Sequence, residues 1–450
     1  MKPPHSHVHL VLALVAALTC GHAPARIVLV SQALDPATGG NDSALPTPAL
    51  SHDGRYVAFT SKASNLTDPM PNPNDDEADV YLRDLWLGIT VRVSDPADGG
   101  DFANGRSVSP SLSADGRVVA FTSHASDLIV GDVPGPGGDI YVRDMDSGIT
   151  ERISRTHDGV GTPNGPSSSP SLSADGRRIA FHSLADNLVA GDVADFFDDV
   201  FVHDRDSGIT RRISVGANSF SQAAAISADG RRVVFTSRAS NLVPDDLNDR
   251  DDVFVHDLDS GITQLVSTSA FGSGADRASS SPAVSGDGRY VVFATTATNL
   301  IAAGDDNGYR DIYLRDLVAG TTQLISRGMD GALSNEHSYS PCISADGQRI
   351  GFSSDASNLV PDDSNGPVRD VFVHELASGR TWRVSRAADG GAGNDTSENC
   401  GLSGDGRYIA FESTASNLLD DDGNGHVNDI FHSASTDRIF DAGFEPAPQH

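Results

Sequence analysis

Seven times the chain spells a Ser-x-Asp-Gly-Arg turn followed by an apolar strand, with the turns opening at Ser51, Ser113, Ser173, Ser227, Ser285, Ser344 and Ser403. The sixth copy carries Gln348 in place of Arg. Successive copies lie roughly sixty residues apart, with one shorter step between the third and fourth, and a repeat of that length read as four short strands is a propeller blade. The predicted fold is therefore all-β: a seven-bladed β-propeller of four-stranded antiparallel blades. Each blade is apolar on both faces and is stable only between neighbours.

The copy around Asp175 gives the strands. Pro170 to Ser173 reads as the innermost strand. Asp175-Gly176 is a tight hairpin signal of the two-residue kind, and Ser173 can bond its own turn backbone. Arg177 to Ser183 alternates, with Ile179 and Phe181 on one face. A third strand runs from Asp199 to Asp204, Ser207-Gly208 turns the chain, and a fourth spans Thr210 to Ser214. No segment beyond the first residues has helical periodicity over three turns.

The ends of the chain predict how the ring closes. Arg26 to Ser31 resembles the fourth strand of a repeat, yet no first three strands precede it. The seventh repeat has its first three strands, ending near Phe431. The N-terminal strand is therefore expected to complete the last blade, with Asp437 to Phe440 as its rival for that place. The organisation expected is a signal peptide over 1–25, the propeller over 26–436 and a tail over 437–450.

The signal reading rests on Lys2, the apolar run Val8 to Leu18, too short to span a bilayer, and the small residues Ala23-Pro24-Ala25. Cys20 raises a lipoprotein alternative that Ala17-Leu18-Thr19 fits poorly. A secreted or periplasmic location follows, and no later segment is long and apolar enough to cross a membrane. The net charge of −30, from 32 basic and 62 acidic residues, argues against nucleic acid as a partner. Cys342 and Cys400 occupy corresponding strands of adjacent repeats at opposite parity. They read either as a disulfide across neighbouring blades or as two buried, unpaired thiols.

Most repeats carry an acidic loop between the second and third strands. The later four hold Asp246, Asn248 and Asp252; Asp305, Asn307 and Asp311; Asp363, Asn365 and Asp370; and Asp422, Asn424 and Asp429. Hard oxygen donors at alternate positions suit calcium. The same residues also suit Asx turns that cap a strand. His203, His256 and His374 recur where other copies carry Arg83, Arg143 and Arg315, which points to a structural partner for a nearby acid. His124 and His182 stand singly on strands. No Gly-x-Ser-x-Gly elbow, His-Glu-x-x-His, phosphate-binding loop or Cys-x-x-Cys is present.

Pro170 to Phe181 and Asp139 to Asp144 resemble the TolB-type, WD40-like propeller repeat of bacterial envelope proteins, and the resemblance runs over about residues 26 to 433. It implies a protein-docking platform, or a lid or substrate domain beside an enzyme. With no α/β domain read ahead of the propeller and no hydrolase domain read after it, neither the envelope-complex role of TolB nor a prolyl-oligopeptidase-like peptidase is expected. The expected function is to bind a protein or glycan at the channel mouth or on a loop face, with inter-blade segments such as Asp95 to Ser109 and Arg155 to Ser169 building that face. The alternatives are a polysaccharide lyase or hydrolase, and calcium-dependent adhesion. Repeated Ser and Pro at the channel mouth would favour docking; a cluster of unlike titratable groups would favour catalysis.

Overall fold

The computed structural model describes residues 27–34, 40–67, 77–97, 99–100, 102–159, 161–192, 196–244, 246, 248–420 and 425–435. The expected leader, the tail with its rival strand, Asp422 and Asn424 lie outside the described residues. The rest forms seven four-stranded sheets. In blade 3 the strands are Ser167–Leu172, Arg178–Ser183, Asp199–Asp204 and Ile209–Arg212, each antiparallel to the next. The innermost strand begins three residues earlier than Pro170, because Ser167 and Ser168 pair with Ser183 and His182 before the register shifts. In blade 7, Ser397–Leu402, Tyr408–Ser413 and Asp429–Ala434 are completed by Val28–Leu29 from the N-terminal side. No helix among the described residues is long and apolar enough to cross a membrane.

The repeated turn folds as its side chains dictate. Ser173 Oγ donates to Asp175 Oδ1, which accepts from the Arg177 amide, and the Arg178 amide returns to Ser173 Oγ. Gly176 takes the left-handed conformation at φ +67°, where a Cβ would be strained. Asp175 does not, so the connection is a four-residue loop closed by Ser173 and Arg178, not the two-residue turn expected.

Blades bury their apolar strands against one another. Blade 2 sets Phe121 against Tyr141 at 6.1 Å, both fully buried. Val119, Phe121 and Tyr141 share a cluster with Ala58, Val80 and Leu82 of blade 1. A fully buried side chain of this kind contributes about 1.5–3 kcal/mol.

Backbone hydrogen bonds stitch the ring at both ends of the inner strands. At one end, amides of 52, 114, 174, 229, 286, 345 and 405 reach the carbonyls of 114, 174, 228, 286, 345, 404 and 52, so the last bond returns to blade 1. At the other, the first amide of each inner strand reaches the carbonyl before the third strand of the preceding blade, as in Ser338 to Arg310 and Ala44 to Asn428 at 2.7 Å. Each inner strand also bulges at a non-glycine residue with positive φ: Thr47, Ser109, Ser169, Ala223, Ser281, Ser340 and Asn399. In five blades proline follows, which has no amide to leave unpaired there.

Candidate functional site

Every third strand opens on an aspartate buried in its blade. Asp79, Asp139, Asp199, Asp252, Asp311, Asp370 and Asp429 each accept from a serine at the end of the outer strand, at 2.5–2.7 Å. That serine in turn accepts the amide after the aspartate. In blade 7 the serine is Ser31, 398 residues away in sequence. Burial pushes Asp79 up to about 6 and Asp252 to about 7. Four of the twelve loop residues expected as calcium ligands are thus members of a sevenfold structural pair.

Two of the asparagines act as turn formers. Asn248 and Asn307 accept through Oδ1 from the Arg250 and Tyr309 amides and donate through Nδ2 to Asp252 and Asp311. Asn365 likewise donates to Asp370, at 3.0 Å. The aspartates at the loop entrances divide by blade. Asp363 pairs with Arg383 at 3.2 Å, and Asp305 accepts from the Tyr313 hydroxyl at 2.5 Å. Asp246, 2% exposed, makes no hydrogen bond of normal geometry through either carboxylate oxygen, the Asn248 amide being the donor beside it. No group of three or more His, Cys, Asp or Glu side chains suited to a metal converges among the described residues.

The recurring His/Arg position is structural: the partner common to all six is a threonine hydroxyl, and Arg143 also reaches an acid, Asp95, at 3.9 Å. His203, His256 and His374 meet Thr210, Thr263 and Thr381 at 2.9 Å, and Arg83, Arg143 and Arg315 donate to Thr90, Thr150 and Thr322. Cys342 and Cys400 are joined as a disulfide between the inner strands of blades 6 and 7, Cα atoms 6.2 Å apart. Gly351 makes room for it: a Cβ there would lie 2.6 and 2.9 Å from the two sulfurs.

At the channel mouth, where each inner strand begins, the blades stop being equivalent. Blades 1 and 2 present Leu45, Thr60, Val108 and Thr122. Blades 5 to 7 carry an unbroken run of aromatic and charged groups. Tyr309 meets His337 edge-on at 5.1 Å, and His337 lies 5.9 Å from Tyr339. The Arg310 amide donates to His337 Nδ1 at 2.8 Å, which leaves Nε2 to carry the proton of the neutral ring. Arg369 covers the Tyr339 ring at 4.2 Å, pairs with Asp355 at 2.9 Å and also with Glu398. Glu398 is the cross-strand partner of Glu412.

Glu412 is 3% exposed and takes hydrogen bonds from Asn399 and Asn428. Burial, together with Glu398 beside it, pushes its carboxyl up to about 7. One carboxylate fixed by a guanidinium, next to a second that holds a proton near neutrality, is an arrangement able to move a proton. These residues were missed in the sequence. The available signal was departure from the repeat: Ser-Glu-Asn-Cys in blade 7 replaces the Ser-x-Ser-Pro of blades 2, 3, 5 and 6. On another arc, Ser168 Oγ lies 2.8 Å from His182 Nε2, and Asp198 lies close enough to His182 to interact through its charge, but His182 Nδ1 makes no hydrogen bond to it.

No family model matches the chain, and no curated protein does. Among solved structures, an oligogalacturonate lyase in complex with manganese is similar at 12% identity and TM-score 0.53, over 93% of this chain and 98% of that one. An oligogalacturonate lyase from Vibrio parahaemolyticus matches at 13% and 0.53, over 92% and 98%. The β-propeller domain of the Trilobed protease from Pyrococcus furiosus matches at 13% and 0.50, over 89% and 98%. TolB from Acinetobacter baumannii is also among the neighbours, at 14% and 0.40, over 77% and 64%. At these identities the likeness is one of fold, and the fold is a seven-bladed propeller of four-stranded sheets with TolB-like propellers among its neighbours.

Proposed function

We propose that this propeller works outside the cytoplasm, secreted or periplasmic, and binds a glycan at the channel mouth on blades 5 to 7. The observation that carries the reading is the arc from Tyr309 through Tyr339 and Arg369 to Glu412, confined to three blades of a ring otherwise built by repetition. Half-buried rings beside a guanidinium and paired carboxyls offer what a sugar presents to a protein, an apolar ring face and adjacent hydroxyls. The Cys342–Cys400 disulfide fits an oxidising compartment. The test is titration of the full chain against a panel of acidic and neutral polysaccharides, with Arg369→Met and Glu398→Gln alongside. Binding by the wild type that both variants lose is expected. A wild type that retains no glycan, yet captures an envelope protein equally well with either variant, would move the docking face elsewhere.

Glu398 and Glu412 favour a second reading, proton transfer during cleavage of a polysaccharide. Release of unsaturated or reducing ends from polygalacturonate, lost in Glu412→Gln, supports it. Binding without turnover leaves the docking reading alone.

A further inference from the structure

In blades 2, 3 and 6 an arginine two residues before the outer-strand serine reaches the acidic loop. Arg152 lies 3.0 Å from Asp132; Arg212 pairs with Asp192 and lies 3.0 Å from Asp199; Arg383 lies 3.2 Å from Asp363 and 3.4 Å from Asp370. Each guanidinium therefore joins the loop carboxylate and, in blades 3 and 6, the strand-opening one as well. Arg383 is completely buried in doing so. In blades 4 and 5 the same position is Leu265 and Leu324. The two carboxylates remain: Asp246 with Asp252, and Asp305 with Asp311, all at most 5% exposed. Burial first, and then the neighbouring carboxylate, raises the proton affinity of Asp252 and Asp305. Both oxygens of Asp246 and Oδ1 of Asp305 make no hydrogen bond of normal geometry, although the Asn248 and Asn307 amides lie near enough to favour the charged carboxylates.

We propose that blades 4 and 5 each hold a hard divalent cation, calcium by donor chemistry, where blades 2, 3 and 6 hold a guanidinium. Two buried carboxylates without a cation carry two negative charges that the interior opposes strongly. One divalent ion neutralises them. Further oxygen atoms stand beside the pairs, next to the Asn248 and Asn307 amide nitrogens: the Ala275 carbonyl in blade 4, and the Ser334 and Tyr313 hydroxyls in blade 5. Calcium takes such a set. Blade 6 has the same Asp-x-Asn spacing but takes no ion, because Arg383 fills the place. The proposal thus keeps two of the four loops that the sequence motif marks; blade 7 also carries a leucine, Leu29, at this position, but most of its loop lies outside the described residues. The proposal is independent of glycan binding and is read with the metal alone.

The experiment is calorimetry of the metal-stripped full chain with calcium chloride, with magnesium chloride as comparison, and melting with and without calcium. Saturable calcium binding at roughly 10⁻⁴–10⁻³ M, as in extracellular modules, is expected, with a rise in melting temperature. Leu265→Arg/Leu324→Arg restores the guanidinium of the other blades and is expected to bind two fewer ions per chain while remaining folded. Asp246→Asn/Asp305→Asn relieves the buried charge by another route and is expected to lose the same two. No heat and no rise in melting temperature at millimolar calcium would overturn the proposal. So would an ion count unchanged in both double variants.

Discussion

Arg383→Leu turns blade 6 into a copy of blades 4 and 5. The guanidinium lies 3.2 Å from Asp363 and 3.4 Å from Asp370, donates to the Asp362 carbonyl at 3.1 Å, and is completely buried. Removing it leaves two buried carboxylates facing each other, a change that typically costs about 3–5 kcal/mol. A domain of roughly 400 residues unfolds with an entropy of about 0.8 kcal/mol/K, so that loss lowers Tm by roughly 4–6 °C. The cost is relieved by protonation. Burial and Asp370 already push Asp363 up to about 6 with the arginine in place, and its loss raises both carboxyls further. The deficit is therefore expected to be smaller at pH 5.5 than at pH 8, because carboxyls raised above their unfolded values lose stability as pH rises. Calcium is expected to recover part of the loss in the variant, which now carries Asp363, Asn365 and Asp370 without a guanidinium. The assay is thermal melting at both pH values in chelator and in calcium. A fall of less than about 1 °C in chelator at pH 8 would refute the argument that Arg383 holds the two charges.

Glu412, pushed up from 4.5 to about 7, contributes stability that is complete below pH 4.5 and lost as pH rises through 7. Glu412→Gln is expected to flatten that slope in pH-dependent melting, and an unchanged slope would count against its burial as the cause. His374 and His432, each pushed down to about 4 by burial, act in the other direction. Their contribution is present above 6.5 and lost as pH falls through 4, so replacing both with Gln is expected to reduce acid destabilisation in the same assay. Cys342→Ser/Cys400→Ser opens a loop of 58 residues and is expected to cost about 4 kcal/mol in denaturant unfolding. Gly351→Ala, whose Cβ would meet both sulfurs, is expected to destabilise the oxidised protein more than the reduced one.

What the sequence makes legible is what sevenfold repetition amplifies. The spacing of the Ser-x-Asp-Gly-Arg turns is enough to derive the blades, and the match of Arg26 to Ser31 with an outer strand is enough to close them; Ser31 indeed completes the Ser–Asp pair of blade 7. The same repetition hides the site. Asp252, Asp311 and Asp370 look equivalent in sequence, and their serine partners recur at Asp79, Asp139 and Asp199 without any Asp-x-Asn motif, so the recurring pair alone does not tell a cation site from a guanidinium site. A residue that recurs in every blade is accounted for by the blade. What distinguishes one blade from the next is the informative part: leucine for arginine at 265 and 324, and glutamate for the small or neutral residues that other inner strands carry at 398. Those substitutions lie far apart in the chain from the groups they affect. Arg369 and Glu398 are 29 residues apart, and their meeting depends on the angle between blades 6 and 7. That angle comes from packing apolar strands around a closed ring, and no local pattern of residues encodes it.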